Sequence, residues 1–112
     1  MAGVNRGEIW QFGFPKPDKK RPVLVLTRQD MIGRLATVTV APITSTVRGV
    51  PSEIIVGPES GLKTESAVNL HNVVTVPVVG LRSYLGTVSP VTMGKVRDAM
   101  LFALGFGGAG AV

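Results

Sequence analysis

The run Arg21-Pro22-Val23-Leu24-Val25-Leu26-Thr27 and a second apolar run closing on Ala41-Pro42-Ile43-Thr44 put a guanidinium at the start of one buried strand and a hydroxyl at the end of the next. If the two strands pair antiparallel, both side chains come to one edge of the sheet. A guanidinium brings fixed charge and forked donors; a hydroxyl is a small donor and acceptor. Together they suit a phosphodiester. Taken alone, the pair also fits an ordinary flanking charge and an ordinary turn residue.

Charge distribution supports the first reading. The formal net charge is +5, and it is one-sided. Residues 1–50 hold eight Lys/Arg against three Asp/Glu, whereas residues 51–112 hold four of each. The excess lies in the half that carries Arg21 and Thr44, and a one-sided positive field attracts polyanions. Mild basicity for solubility alone is the competing reading. At 112 residues, 45% hydrophobic and 17% charged, the chain is long enough for one globular core. It has no cysteine, which excludes disulfides and thiolate metal sites, and its lone His71 argues against a histidine-rich metal site. No metal or cofactor is expected. The first residues lack an apolar stretch of signal-peptide length, and no run approaches the roughly 18 apolar residues needed to span a bilayer. The reading is a soluble, cytoplasmic protein with no membrane partner.

The elements that must hold the pair follow from period and punctuation. Residues 8–14 read as a first strand, and the proline- and charge-rich 15–20 as a loop. Residues 22–26 read as a strand buried on both faces, and 35–43 as an alternating one. Further strands are expected over 52–56, 66–70 and 73–76, with a polar loop over 44–51 and turns over 57–65. Residues 80–86 fit a short helical turn capped by Gly86, with a short strand at 87–88. Ser89-Pro90 marks a helix start, and Gly105 its stop. Between them Met93, Val96, Met100, Ala103 and Leu104 make one apolar face. Leu101 and Phe102 widen it, either as core or toward another subunit. The sum is an α+β fold: a strongly curved antiparallel β-sheet, or small half-open barrel, with a C-terminal α-helix. Residues 1–105 form a single domain, and the Gly/Ala-rich 106–112 read as a loose tail.

Arg6-Gly7-Glu8-Ile9-Trp10, Arg21-Pro22-Val23-Leu24-Val25-Leu26, Pro42-Ile43-Thr44 followed by Gly49-Val50-Pro51, Ser66-Ala67-Val68 and Leu85-Gly86-Thr87-Val88-Ser89 occur in this order. The ordered set resembles the MazF/PemK group of toxin endoribonucleases, the mRNA interferases of type II toxin–antitoxin systems, over residues 6–105. The resemblance implies a MazF/CcdB-like fold and growth inhibition by metal-independent cleavage of single-stranded RNA, often mRNA, at short motifs. It implies 2′-hydroxyl attack, leaving a 2′,3′-cyclic phosphate and a 5′-hydroxyl. It also implies a homodimer whose RNA groove is blocked by a cognate antitoxin protein. The family's catalytic arginine matches Arg21 and its catalytic threonine Thr44. The resemblance also implies acid/base work for that arginine; by its own chemistry Arg21 best suits neutralisation of charge at phosphorus, and Thr44 suits donation to a non-bridging oxygen or orientation of the 2′-hydroxyl. The loop before Arg21 is shorter than in many members, so a glutamate carried there has no clean counterpart; Asp18 is a substitute or a turn residue.

Other candidates stand beside the pair. Lys19, Lys20 and Arg28 are candidate phosphate contacts. Phe14 is a base-stacking platform or a core anchor. Ser66, Asn69 and Asn72 could read base edges or serve turns. Arg48 could meet RNA or acidic antitoxin residues. Two other functions fit the same chain: a non-enzymatic, gyrase-binding toxin of the CcdB type, and a catalytically silent nucleic-acid-binding module. Neither needs both Arg21 and Thr44.

Overall fold

The computed structural model describes residues 3–15 and 20–106. Its centre is the apolar run after Arg21. Strand β2 (Lys20–Val25) lies between β1 (Glu8–Gly13) and β3 (Thr37–Thr44), antiparallel to both. Its alternate residues serve two cores, as the unbroken apolar sequence requires. Leu24 joins Ile9, Ala41 and Ile43 on one face, whereas Val23 and Val25 join Phe12, Val38 and Val40 on the other.

Strand β3 is long enough to change partners. On the side away from β2, its first half pairs with β6 (Val74–Pro77), and Ile43 and Thr44 pair with β5 (Ser66–Asn69). Pro42, with no N–H to donate, falls in the gap between those two partners. Strand β4 (Glu53–Val56) extends from β5, and β7 (Leu81–Thr87) adds to β1. The resulting order is β4-β5-β3-β2-β1-β7, with β6 beside β3. The sheet curves without closing.

The C-terminal helix α1 (Pro90–Leu104) covers the face that holds Leu24 and Ile43. Ser89 Oγ accepts from the Thr92 N–H at 3.1 Å, and Gly105 ends the helix in the left-handed region. Val96 and Ala99 are buried, with Met93, Met100 and Ala103 packed beside them. Leu104, expected on that face, is instead exposed with Leu101 and Phe102. The helix rotates those three side chains past the core edge.

Residues 81–87 correct the expected helical turn: a turn at Val78–Gly80 leads into a full strand. The alternation was hidden because β7 pairs with β1 through two register shifts, which break the period of two. Tail residues 107–112 lie outside the described residues.

Glu8 ties the start of β1 together. Its Oε1 accepts from the Asn5 N–H at 2.8 Å and from Trp10 Nε1–H at 3.0 Å, and its Oε2 from Asn5 Nδ2–H at 3.1 Å. Burial pushes its carboxyl up, but these hydrogen bonds outweigh that and leave it below the ordinary carboxylate value. The stabilisation is therefore present above the unfolded-state value and is lost as pH falls through the folded one. Glu8→Gln is expected to cost about 1 kcal/mol at neutral pH. The gap between the two denaturation curves should close below roughly pH 4.

Candidate active site

The β2–β3 register aligns Val23 with Pro42, Leu24 with Ala41 and Val25 with Val40. Continuing it by two residues sets Arg21 opposite Thr44. Arg21 also faces Phe12 on β1, and Thr44 faces Ala67 on β5, so the pair lies in one row across the sheet. Directly opposed residues project to the same face. Both side chains are half-buried. Thr44 Oγ1 accepts from the Thr46 N–H at 3.2 Å, which orients the hydroxyl and leaves its O–H able to donate.

Two clefts meet at this pair. One, of about 490 Å³, runs past Gln11, Lys20, Leu62, Lys63 and Ser66. The other, of about 500 Å³, runs past Arg48, Ser52, Asn69, His71 and Asn72. Arg21 and Thr44 line both. A third recess, of about 340 Å³, joins Arg21 to Phe14, Asn69, Asn72 and Val74. Among the described residues no Asp or Glu lines any of the three, whereas Lys20, Arg21, Arg48 and Lys63 do. A groove lined by cations and free of carboxylates attracts polyanions. Among the described residues, no three His, Cys, Asp or Glu side chains cluster to hold a metal ion.

The residues singled out from sequence separate clearly. Lys20, Arg48, Ser66, Asn69, Asn72 and Phe14 all reach these clefts. Ser66 spends its hydroxyl on the Thr64 carbonyl at 3.1 Å and is buried, so it shapes the wall more than it offers a donor. Phe14 is both wall and anchor: its ring packs edge-on against Phe12, with centroids 4.7 Å apart. Arg28 is not brought here. It lies past the other end of β2, exposed, and paired with Asp30 at 2.7 Å. Lys19 and Asp18 lie outside the described residues.

Gln11, Lys63, Ser52 and His71 were not anticipated as wall residues. Gln11 sits mid-strand opposite Pro22, where alternation alone could have flagged it. The other three reach the groove only through long-range packing.

The wall that carries Arg48 depends on Glu53. The residue is 8% exposed, and its Oε1 accepts the N–H groups of Arg48 and Gly49 at 3.0 Å each. Its Oε2 has no hydrogen-bond partner among the described residues. Glu53→Ala is expected to lose on the order of 2 kcal/mol and to loosen this loop. Glu53→Gln keeps an acceptor at the same place and should lose much less, as read by urea denaturation of both variants.

Comparison with known proteins identifies the family. Residues 5–104 match the family described as the PemK-like, MazF-like toxin of type II toxin–antitoxin systems. The chain is 48% identical over 69 residues to a Mycobacterium tuberculosis protein named endoribonuclease MazF3, covering 62% of this chain and 67% of that one. Its fold superposes with a TM-score of 0.84 on the M. tuberculosis toxin MazF-mt6, at 36% identity, covering 90% of this chain and 99% of that one. It superposes with a TM-score of 0.83 on a mycobacterial endoribonuclease solved in complex with its cognate antitoxin, at 28% identity, covering 94% and 98%. An arginine and a threonine opposed at the junction of two basic clefts, on a sheet of this topology and with a family match over nearly the whole chain, place this protein among the PemK-like, MazF-like toxins of type II toxin–antitoxin systems.

Proposed function

We propose that this chain is a toxin endoribonuclease that cuts single-stranded RNA, with mRNA as the main target, and is held in check by a cognate antitoxin. The observation that carries the reading is the cross-strand position of Arg21 and Thr44 where the two basic clefts meet. RNA lies along the groove with one phosphodiester at the pair. The 2′-hydroxyl attacks phosphorus and the 5′-oxygen leaves, giving a 2′,3′-cyclic phosphate and a 5′-hydroxyl. Arg21 neutralises charge growing on the phosphoryl oxygens, and the Thr44 O–H donates to one of them. Lys20, Lys63 and Arg48 hold the flanking phosphates. Asn69 and Asn72 meet base edges, and Phe14 stacks a base.

The protein acts as a homodimer in the cytoplasm. No helix among the described residues is long and apolar enough to cross a membrane. An antitoxin segment bearing carboxylates would match the cationic groove and exclude RNA from it. No observation favours the gyrase-binding alternative. The test is purified protein on end-labelled single-stranded RNA with EDTA present. Discrete cuts carrying 5′-hydroxyl ends, abolished by the co-purified antitoxin, are the expected result. RNA that stays intact while bound would point to a silent binding module.

A further inference from the structure

Two buried acceptors stand beside the groove without a donor. Glu53 and Asn69 are directly opposed across β4 and β5, so their side chains share one face of the sheet. Glu53 Oε2 and Asn69 Oδ1 are both buried, and neither has a hydrogen-bond partner among the described residues. The carboxylate cannot swing away to find one, because its Oε1 is held by the N–H groups of Arg48 and Gly49. An acceptor buried unpaired carries the full desolvation cost of its group, and a charged one carries the most.

One rotation removes both faults. The two ends of a carboxamide are nearly the same size, and hydrogen bonding decides which way each points. Turned half a revolution about Cβ–Cγ, the Asn69 amide puts an N–H where Oδ1 lies, with Glu53 Oε2 as its acceptor. Opposed Cβ atoms are about 4.5–5.5 Å apart, a gap that a carboxylate and a carboxamide bridge with one hydrogen bond. No cap competes for the amide: Asn69 precedes the Leu70–Asn72 turn, but its side chain makes no capping hydrogen bond there.

The other end of the amide meets the groove. Asn69 lines the cleft that holds Arg21 and Thr44, and also the recess that Phe14 and Asn72 share with Arg21. It lies two residues along β5 from Ala67, the partner of Thr44, and so on the same face of the sheet as that hydroxyl. The rotated amide shows this groove a carbonyl.

Building on the nuclease reading, we propose that Glu53 sets the orientation of Asn69, and that the carbonyl so presented selects a base with an exocyclic amine beside the scissile phosphodiester. Adenine and cytosine carry that amine. Guanine and uracil carry a carbonyl at the matching position, which would meet the Asn69 carbonyl acceptor against acceptor. Asn69 is the specificity-determining residue in this scheme, and Glu53 a positioning residue.

Glu53→Gln tests it by reversing the amide. The glutamine keeps an oxygen for the Arg48 and Gly49 N–H groups and puts an N–H in place of Oε2. It therefore donates to Asn69 Oδ1 and turns the Asn69 N–H toward the groove. The first readout is heteronuclear NMR without RNA. The Asn69 side-chain amide signal, assigned by its loss in Asn69→Leu, should exchange slowly with solvent in the unaltered chain and about tenfold faster in Glu53→Gln. The second is sequencing of the ends left after cleavage of random single-stranded RNA in EDTA. At one position next to the cut, the unaltered chain should favour A and C over G and U by about tenfold. Glu53→Gln should move that position toward G and U, and Asn69→Leu should flatten it, with the rest of the motif kept. Fast exchange in the unaltered chain, or a base preference identical in the unaltered chain and Glu53→Gln, would overturn the assignment while leaving the nuclease reading intact. If the unaltered protein cuts no RNA, the nuclease reading fails and takes the base selection with it, whereas the exchange rates still decide the Glu53–Asn69 pairing.

Discussion

Arg21→Ala is expected to lower RNA cleavage by about 10³–10⁵-fold, the range seen when an arginine that stabilises phosphoryl transfer is lost. Binding of an uncleavable 2′-deoxy oligonucleotide should weaken far less, because Lys20, Lys63 and Arg48 also line the groove. The fold should survive, since Arg21 lies beyond the last aligned β2–β3 pair, and the core of β2 is Val23, Leu24 and Val25. Arg21→Lys keeps a charge but loses the planar fork, so it should recover only part of the rate. Thr44→Val keeps the shape and removes the hydroxyl. Its expected cost is about 10²–10³-fold, that of one positioned donor. Far-UV circular dichroism and a thermal melt on each variant separate chemistry from folding.

The second large effect is on stability, at a place with no catalytic group. Gly61 and Gly86 pass back to back. A Cβ on Gly86 would sit 2.0 Å from the Ser60 carbonyl oxygen, and one on Gly61 would sit 2.1 Å from that of Leu85. Both obstacles are backbone, so no side chain can swing aside. Gly61 also has a φ of +95°, which disfavours any side chain. Relief requires moving β7 off β1 or lifting the loop that carries Leu62 and Lys63, which is a wall of the first cleft.

Gly86→Ala should therefore exceed the roughly 1–3 kcal/mol of ordinary overpacking. Against a total of about 5–15 kcal/mol this is a large share. At about 4–8 °C per kcal/mol for a domain near this size, the melting midpoint should fall by more than about 12 °C. Gly94→Ala is the control. It lies within α1 with nothing within 4 Å of its added Cβ, and should gain up to about 1 kcal/mol. Differential scanning calorimetry on the two variants gives both signs in one experiment.

The residues that could be read in advance are those whose chemistry and register are local. The unbroken run Val23-Leu24-Val25 announced a strand with cores on both faces. The alternation before Thr44 announced its neighbour. Together they set Arg21 against Thr44, because an antiparallel register follows from two adjacent strands. Ser89-Pro90 and Gly105 marked α1 for the same reason: caps act within a turn of the residues they bind. Strand β7 was not legible, because its pairing shifts register twice and Gly86 serves a close backbone crossing instead of a helix stop.

Among groove residues, Arg28 was misplaced because a basic side chain near a strand carries no sign of which end it will occupy. Ser52 and His71 are 19 residues apart and meet only because β4 and β5 pair. The lone histidine was visible; its partner was not.

A double-variant cycle bears most directly on whether Arg21 and Thr44 act on one phosphodiester. Cleavage of a labelled single-stranded RNA in EDTA is measured for the unaltered chain, Arg21→Ala, Thr44→Val and the two combined. Groups that serve one transition state lose their effect together, so the combined variant should be little slower than Arg21→Ala alone. If the two losses instead multiply in full, the residues act at separate points and the shared site is wrong.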